Sequence, residues 1–225
     1  MAYEEFFGLK DTPFRLTPDP EYYFPSDVHK EALQTLLYSI RAGEGFVQIT
    51  GEPGTGKTLI LRTIMRQLGS KVTTALILNP SLSPSELLRV ILEDLGLDPL
   101  QTEEKPKEAL LRYFRDTLLE KARHGIKTVI IIDEAQNLPN ETMEELRLLS
   151  NLETEKEKLL QIILVGQVEL EKKLRNPELK QLNQRITIRY RLKPLSKQDA
   201  IAYIYHRINV AGGGEHIRFS PRVLE

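Results

Sequence analysis

Cysteine is absent from the 225-residue chain. Its absence excludes disulfide scaffolds, cysteine nucleophiles and thiolate zinc sites, and it fits a reducing compartment. Net charge is nearly absent too, since 31 Lys and Arg against 32 Asp and Glu leave −1. A protein that coats nucleic acid through its overall charge is therefore not expected, although a local basic patch is compatible with that total. No apolar run approaches the roughly 18 residues of a membrane-spanning helix. The amino-terminal MAYEEFFGLK has neither the basic region nor the apolar stretch of a signal peptide. His29, His124, His206 and His216 show no ligand spacing. The His29-Lys30-Glu31 triplet has the H-x-E form of zinc deaminases, but the cysteines those enzymes require are missing. Internal repeats and low-complexity tracts are missing as well. The expectation is a soluble, cytoplasmic globular protein. At 40% hydrophobic and 28% charged residues it can bury a core, and its length suits one α/β domain or one domain with part of a second.

Residues 1–25 are rich in rings and prolines, including Phe6, Phe7, Phe14, Tyr22, Tyr23 and Phe24 with Pro13, Pro18, Pro20 and Pro25. The segment reads as an extended arm pinned to a surface by its rings rather than as a helix. Ser26 is placed to cap a helix to about Arg41 that buries Ala32, Leu33, Leu36, Leu37 and Ile40. Beyond Gly43 and Gly45, short apolar strands alternate with amphipathic helices. The expected strands are Phe46–Thr50, Val72–Leu78, Val129–Ile132, Gln161–Val165 and Ile186–Leu192. One helix begins at the cap Ser83, with Pro84 in its first turn, Glu86 three residues after the cap and Gly96 at its exit. Another, about Pro106–His124, stacks Leu110, Phe114 and Leu118. This alternation predicts an α/β fold whose parallel sheet is covered on both faces. After Pro194 the chain turns helical from Ser196 and runs into Gly212–Gly214. It then stops at Leu224-Glu225, which reads as one element into a second domain.

Residues 51–58, Gly51-Glu52-Pro53-Gly54-Thr55-Gly56-Lys57-Thr58, match the phosphate-loop pattern G-x-x-x-x-G-K-[ST]. Glycines let the backbone wrap a phosphate chain, so that amide N–H groups and a helix amino terminus point at the anion. Lys57 is expected to reach the β- and γ-phosphates and the Thr58 hydroxyl to hold Mg²⁺. The pattern has its required setting, with a strand before it and the helix Leu59–Leu68 after it. The expected nucleotide-contacting positions are Gly51 to Thr58 together with Leu59. A second apolar run, Val129 to Ile132, ends in Asp133-Glu134 about 75 residues downstream. A rigid strand delivers Asp133 to the Mg²⁺ shell, and Glu134 is placed to orient and deprotonate the attacking water. The similarity of Asp133-Glu134-Ala135-Gln136 to a helicase acidic box is taken as coincidence, because nothing else in the chain suggests a second motor domain.

With these residues in hand, the chain resembles an AAA+ ATPase with a three-layer P-loop core and a five-stranded parallel sheet. More narrowly it resembles the cytoplasmic ATPase domains of the general secretion pathway protein A and type IV pilus (MSHA-type) biogenesis family. Tyr3 to Leu9, Pro13-Phe14, Thr17 to Pro20, Ser26, His29, Glu31 to Leu33 and Gly43 to Phe46 carry the likeness, with Asp133 to Gln136 and Val165-Gly166-Gln167 downstream. The resemblance implies ATP and Mg²⁺ as cofactors and a polar sensor at Gln167 after the fourth core strand. It also implies an arginine finger within Leu182 to Ile186, for which Arg185 is the candidate and Arg189 and Arg191 the rivals. Such a finger completes the site of a neighbouring subunit, so a ring-like homo-oligomer is implied. Protein partners would belong to a secretion or pilus machine, with the whole protein anchored at the inner membrane through a part not in this sequence. The family's second sensor, an arginine in a Gly-x-Pro-Arg element of the lid, has no counterpart; Ser220-Pro221-Arg222 lies too early. The organisation implied is an arm and helix at 1–42, an ATPase core at 43–194 and the start of a helical lid at 195–225. The alternative is a DNA-binding ATPase of transposition target selection, against which the near-neutral charge and an arm more aromatic than basic both weigh.

Overall fold

The structure is a computed structural model, described here for residues 3–78, 80–98, 105–154, 157–214 and 217–220. Five strands, β1 Phe46–Gly51, β2 Val72–Ile77, β3 Lys127–Ile132, β4 Leu160–Gly166 and β5 Ile186–Leu192, form one sheet in the order β2-β3-β4-β1-β5. Every pairing is parallel. The expected α/β fold with a five-stranded parallel sheet is therefore present. Burial follows position in the sheet. The central strands β1 and β4 are buried at every residue, and β3 at all but Lys127. The edge strand β5 alternates instead, turning Thr187, Arg189 and Arg191 to solvent.

The helices are α1 Tyr3–Phe7, α2 Asp27–Ala42, α3 Lys57–Gln67, α4 Pro84–Asp94, α5 Lys107–Arg123, α6 Asn140–Leu149, α7 Glu169–Leu174, α8 Lys180–Arg185 and α9 Lys197–Val210. One face of the sheet packs Ile130, Ile132, Ile162 and Leu164 against α4, α5, α6, α7 and α8. The other packs Val47, Ile49, Ile131 and Ile163 against α2 and α3. The signals at the helix ends act as expected. Ser83 and Glu86 close a capping box at the start of α4, and Ser26 accepts from the His29 N–H at the start of α2.

The arm departs from the extended form expected of it. Tyr3–Phe7 is a short helix, closed where Leu9 N–H donates to Glu4 O at 2.8 Å and Gly8 takes φ 65°. The restricting prolines begin only at Pro13, so nothing keeps the preceding residues out of a helical turn. Only some of its rings pin it: Tyr22 is buried and Phe24 packs on Tyr203 and His206, whereas Phe6 is 72% exposed and Tyr3, Phe7 and Phe14 are exposed too. The arm is held by the buried Tyr22, whose hydroxyl donates to Asp11 at 2.8 Å, and by hydrogen bonds of its main chain to the Arg207 side chain of α9 and to the cap after that helix. Lys10 N–H donates to Ala211 O at 2.7 Å, and Arg207 Nε–H donates to Pro13 O. On the core side, Arg62 of α3 donates to Pro18 O at 2.7 Å. Pro221, Arg222, Leu224 and Glu225 lie outside the described residues. Among the described residues, no helix is long and apolar enough to cross a membrane.

Phe114 fills the space between α5 and the sheet with a fully buried ring. Phe114→Ala is expected to lower the unfolding free energy by about 3–5 kcal/mol. Truncation of the exposed Tyr38 should change it by no more than about 0.5 kcal/mol. Chemical denaturation of the two variants checks the difference.

Candidate functional site

In a parallel sheet, the carboxyl ends of the strands share one edge, and there the loops after β1, β3 and β4 converge. The turn after β1 leads into α3, with Gly54 at φ 77° and Gly56 at φ 90°. At Gly56 both the left-handed backbone and the space demand glycine, because a Cβ would lie 2.9 Å from His29 Nε2. Lys57 is buried, and its ammonium donates to Gly51 O at 2.9 Å and Glu52 O at 3.0 Å. Its charge is thereby held inside the loop beside the amino terminus of α3, which favours anions. Leu59 follows within the first turn of the same helix.

Asp133 comes to this loop at the end of β3, buried, and its Oδ2 accepts from the Thr58 hydroxyl at 2.7 Å. Oδ1 accepts from the Glu134 N–H at 2.9 Å. A hydroxyl and a carboxylate in direct contact are hard oxygen donors, of the kind that could hold a divalent cation such as Mg²⁺. Among the described residues, no group of three or more His, Asp or Glu could hold a metal ion unaided. Glu134 takes a left-handed conformation, φ 52° and ψ 36°, and is the one described residue other than glycine at positive φ. Such a backbone costs on the order of 1–3 kcal/mol and persists only where its surroundings enforce it. Here the enforcement is visible: Glu134 Oε2 accepts from Gln136 Nε2 at 2.6 Å and from Gln167 Nε2 at 3.2 Å.

Lys57, Thr58, Asp133, Glu134 and Gln167 are therefore brought together. Arg185 is not. It precedes Ile186, which pairs with Phe46 at the opposite end of β1. Six strand residues at about 3.3 Å each put it roughly 20 Å from its own phosphate loop. There its guanidinium donates to Ser150 Oγ at 2.9 Å and Arg147 O at 3.2 Å. Arg189 is engaged with Asn183 and Ile186, and Arg191 faces Glu52 at 3.8 Å on the surface.

Three contributors escaped the sequence reading. His29, which in the sequence has no ligand spacing and figures only in the family likeness, is buried and bonded through both ring nitrogens, to Ser26 Oγ at 2.6 Å and to Thr55 O at 2.9 Å. The bond to a carbonyl makes Nε2 the donor, and it ties Thr55 O to α2. The cap at Ser26 hinted at the first bond, whereas nothing in the spacing hints at the second. Gln136 belongs to the Asp133–Gln136 stretch of the family likeness, but the sequence assigns it no role of its own. Glu171 of α7 accepts from the Thr50 hydroxyl at 2.6 Å, tying that helix to the strand under the phosphate loop.

Comparison with known proteins matches residues 40–174 to the AAA domain family model. The chain is 45% identical over 223 residues to General secretion pathway protein A of Aeromonas hydrophila. That match covers 99% of this chain and 40% of that protein, so the chain spans well under half of its relative's length. Among solved structures, the ORC2 protein of Aeropyrum pernix superposes with a TM-score of 0.70 at 18% identity, covering 95% of this chain and 59% of that one. A Walker-type ATPase of Pyrococcus abyssi gives 0.65 at 18% identity, covering 95% and 65%. At such identities these neighbours establish the fold.

Burial holds the His29 imidazole below its ordinary value near 6.5, outweighing the opposing pull of the Thr55 carbonyl and of Asp199. A base whose pKa is depressed by folding binds fewer protons in the native state. Its contribution is therefore complete above about pH 6.5 and lost as pH falls through the folded value. His29→Gln is expected to lose stability at pH 7.5 but to fall less steeply than the native chain between pH 6.5 and 5. Thermal melts across that range check it, and parallel curves would remove His29 from the explanation.

Proposed function

The chain belongs to the AAA+ family of P-loop ATPases, and from that premise we propose that it binds Mg²⁺–ATP at Gly51–Thr58 and self-associates. We propose further that hydrolysis drives assembly of a bacterial secretion or pilus machine in the cell envelope. The contact between the Thr58 hydroxyl and the Asp133 carboxylate, with Glu134 beside it, is the observation that carries the chemistry. The likeness to General secretion pathway protein A supports the biological setting. This ATPase portion would work on the cytoplasmic side of the inner membrane.

The residues divide the work by position. Lys57 and the loop amides would hold the β- and γ-phosphates, with Leu59 in the helix behind them. Thr58 and Asp133 would hold Mg²⁺, which would supply positive charge to neutralise the negative charge developing on the phosphoryl group. Glu134 would take the proton of a water whose oxygen attacks the γ-phosphorus as the bond to the ADP oxygen breaks, and Gln167 would orient that water. His29 would steady the phosphate loop through the Thr55 carbonyl. The distance from Arg185 to its own loop supports a role for it in the neighbouring subunit's site.

Residues 1–42 are read as an arm and helix on the core, 43–194 as the ATPase core and 195–225 as the start of a helical lid. The arm is assigned to the adenine side. Tyr23 meets His29 edge-on at 6.4 Å, His29 holds the phosphate loop, and Phe24 packs on Tyr203 and His206 of α9. The arm thus joins the loop to the helix that a lid would begin with.

Lys57→Ala is expected to abolish most ATP affinity or turnover, since it removes the cation from the loop; calorimetry and phosphate release measure the two. Unchanged values would refute the assignment. Glu134→Gln should keep ATP binding, lose turnover and favour the assembled form in ATP, as read by light scattering.

Arg185→Ala should bind ATP nearly normally and hydrolyse it poorly, within the about 10³–10⁵-fold span known for arginine fingers. Mixing it with Lys57→Ala should restore part of the rate, because some interfaces then pair an intact loop with an intact arginine. No recovery despite demonstrated co-assembly would move the role to Arg189 or Arg191.

A further inference from the structure

Gln136 stands between the two groups that the proposed reaction needs in register. Its Nε2 donates to Glu134 Oε2 at 2.6 Å, and its Oε1 accepts from the Gln167 main-chain N–H at 3.1 Å. The orientation of the amide is dictated by its partners. Turned over, it would set oxygen against a carboxylate and NH₂ against an N–H donor, losing both bonds. The surroundings are shaped to hold it. Gly166, the last residue of β4, has no side chain where a Cβ would lie 2.5 Å from Gln136 Oε1. From behind, the Lys173 ammonium donates to Gln136 O at 3.0 Å and to Leu138 O, fixing the turn from which the side chain projects.

We propose that Gln136 is a positioning residue for the hydrolytic base. Its amide ties Glu134 Oε2 to the main chain at the end of β4, so that Glu134 and Gln167 hold one geometry about the attacking water. This rests on the functional reading above. Both amide donors converge on Oε2. In this arrangement Oε2 serves as the hinge pin, and Oε1 is the oxygen assigned to take the water's proton. A carboxylate on a left-handed residue has no helix or strand of its own to orient it, and the amide supplies that orientation.

Gln136→Met keeps the side chain's length and removes both of its polar atoms. ATP affinity and melting temperature are expected to stay within about twofold and a few degrees of the native chain, while kcat falls about 10²-fold, the cost of a misplaced reacting group. In the Glu134→Gln background the same change should alter the residual rate less than about twofold, because the base it positions is already gone. Gln136→Glu retains an acceptor for the Gln167 N–H but no donor for Glu134. It should lose kcat as Gln136→Met does, and it serves should the methionine variant fail to fold. Unchanged or increased kcat in these variants overturns the proposal, as does an equal loss in both backgrounds, which would mark a merely structural tie. A native chain without turnover, unaffected by Lys57→Ala, would overturn the functional reading and this proposal with it. Native turnover abolished by Lys57→Ala but untouched at Gln136 overturns this proposal alone.

Discussion

The 2.7 Å hydrogen bond from Thr58 to Asp133 joins residues 75 positions apart, and it depends on where β1 and β3 end. The two strands are not neighbours, since β4 runs between them. Their ends therefore align only because both are locked in register to β4, Ile49 opposite Val165 on one side and Ile132 opposite Leu164 on the other. Burial of these strands on both faces makes that register costly to change, as a slip by one residue would exchange the residues packed on the two helical layers. Every group at the carboxyl edge inherits its place from this lock.

At that edge, strain and hydrogen bonding are balanced locally. Glu134 adopts a backbone that most side chains avoid, and it keeps that conformation because a ring of polar contacts surrounds it. The ring draws on three separate chain segments: the turn after β3, the end of β4 and α7, through Lys173. The phosphate loop is built likewise, its Lys57 answering two of its own carbonyls and its Thr55 carbonyl held by His29 from α2. Both halves of the site are thus held by groups outside the motifs that identify them.

The arm and α9 form a second centre of organisation. Arg207 is buried at 6% exposure, with its guanidinium 4.6 Å from the Tyr22 ring centroid, 5.6 Å from that of Tyr203 and 6.0 Å from that of Phe14. A cation among ring faces is stabilised without a carboxylate partner. This explains why a stretch so rich in aromatic residues can leave Phe6 and Phe7 in solvent and still be anchored. Tyr22 and Arg207 join the arm to α9, and Arg62 joins the arm to α3.

Unlike α6, α7 and α8, the five strands, the helices that begin near Ser26, Leu59, Ser83, Pro106 and Ser196, the caps at Ser26 and Ser83 and the phosphate-loop pattern with its acidic strand end were legible in the sequence. Each depends on residues near one another in the chain, through periodicity, capping or the conformational freedom of glycine. The short helix at Tyr3–Phe7 was misread because ring and proline content was averaged over 25 residues, although the prolines begin only at Pro13. What the tertiary structure alone decided are contacts between distant segments: His29 on Thr55, Gln136 between Glu134 and the main chain of Gln167, Glu171 under Thr50, and Arg207 among the rings of the arm. Local pattern cannot specify these, because each forms only where the parallel register brings separate loops to one edge, or where α9 folds back onto the arm. There a polar side chain is held by partners that its sequence neighbours do not supply.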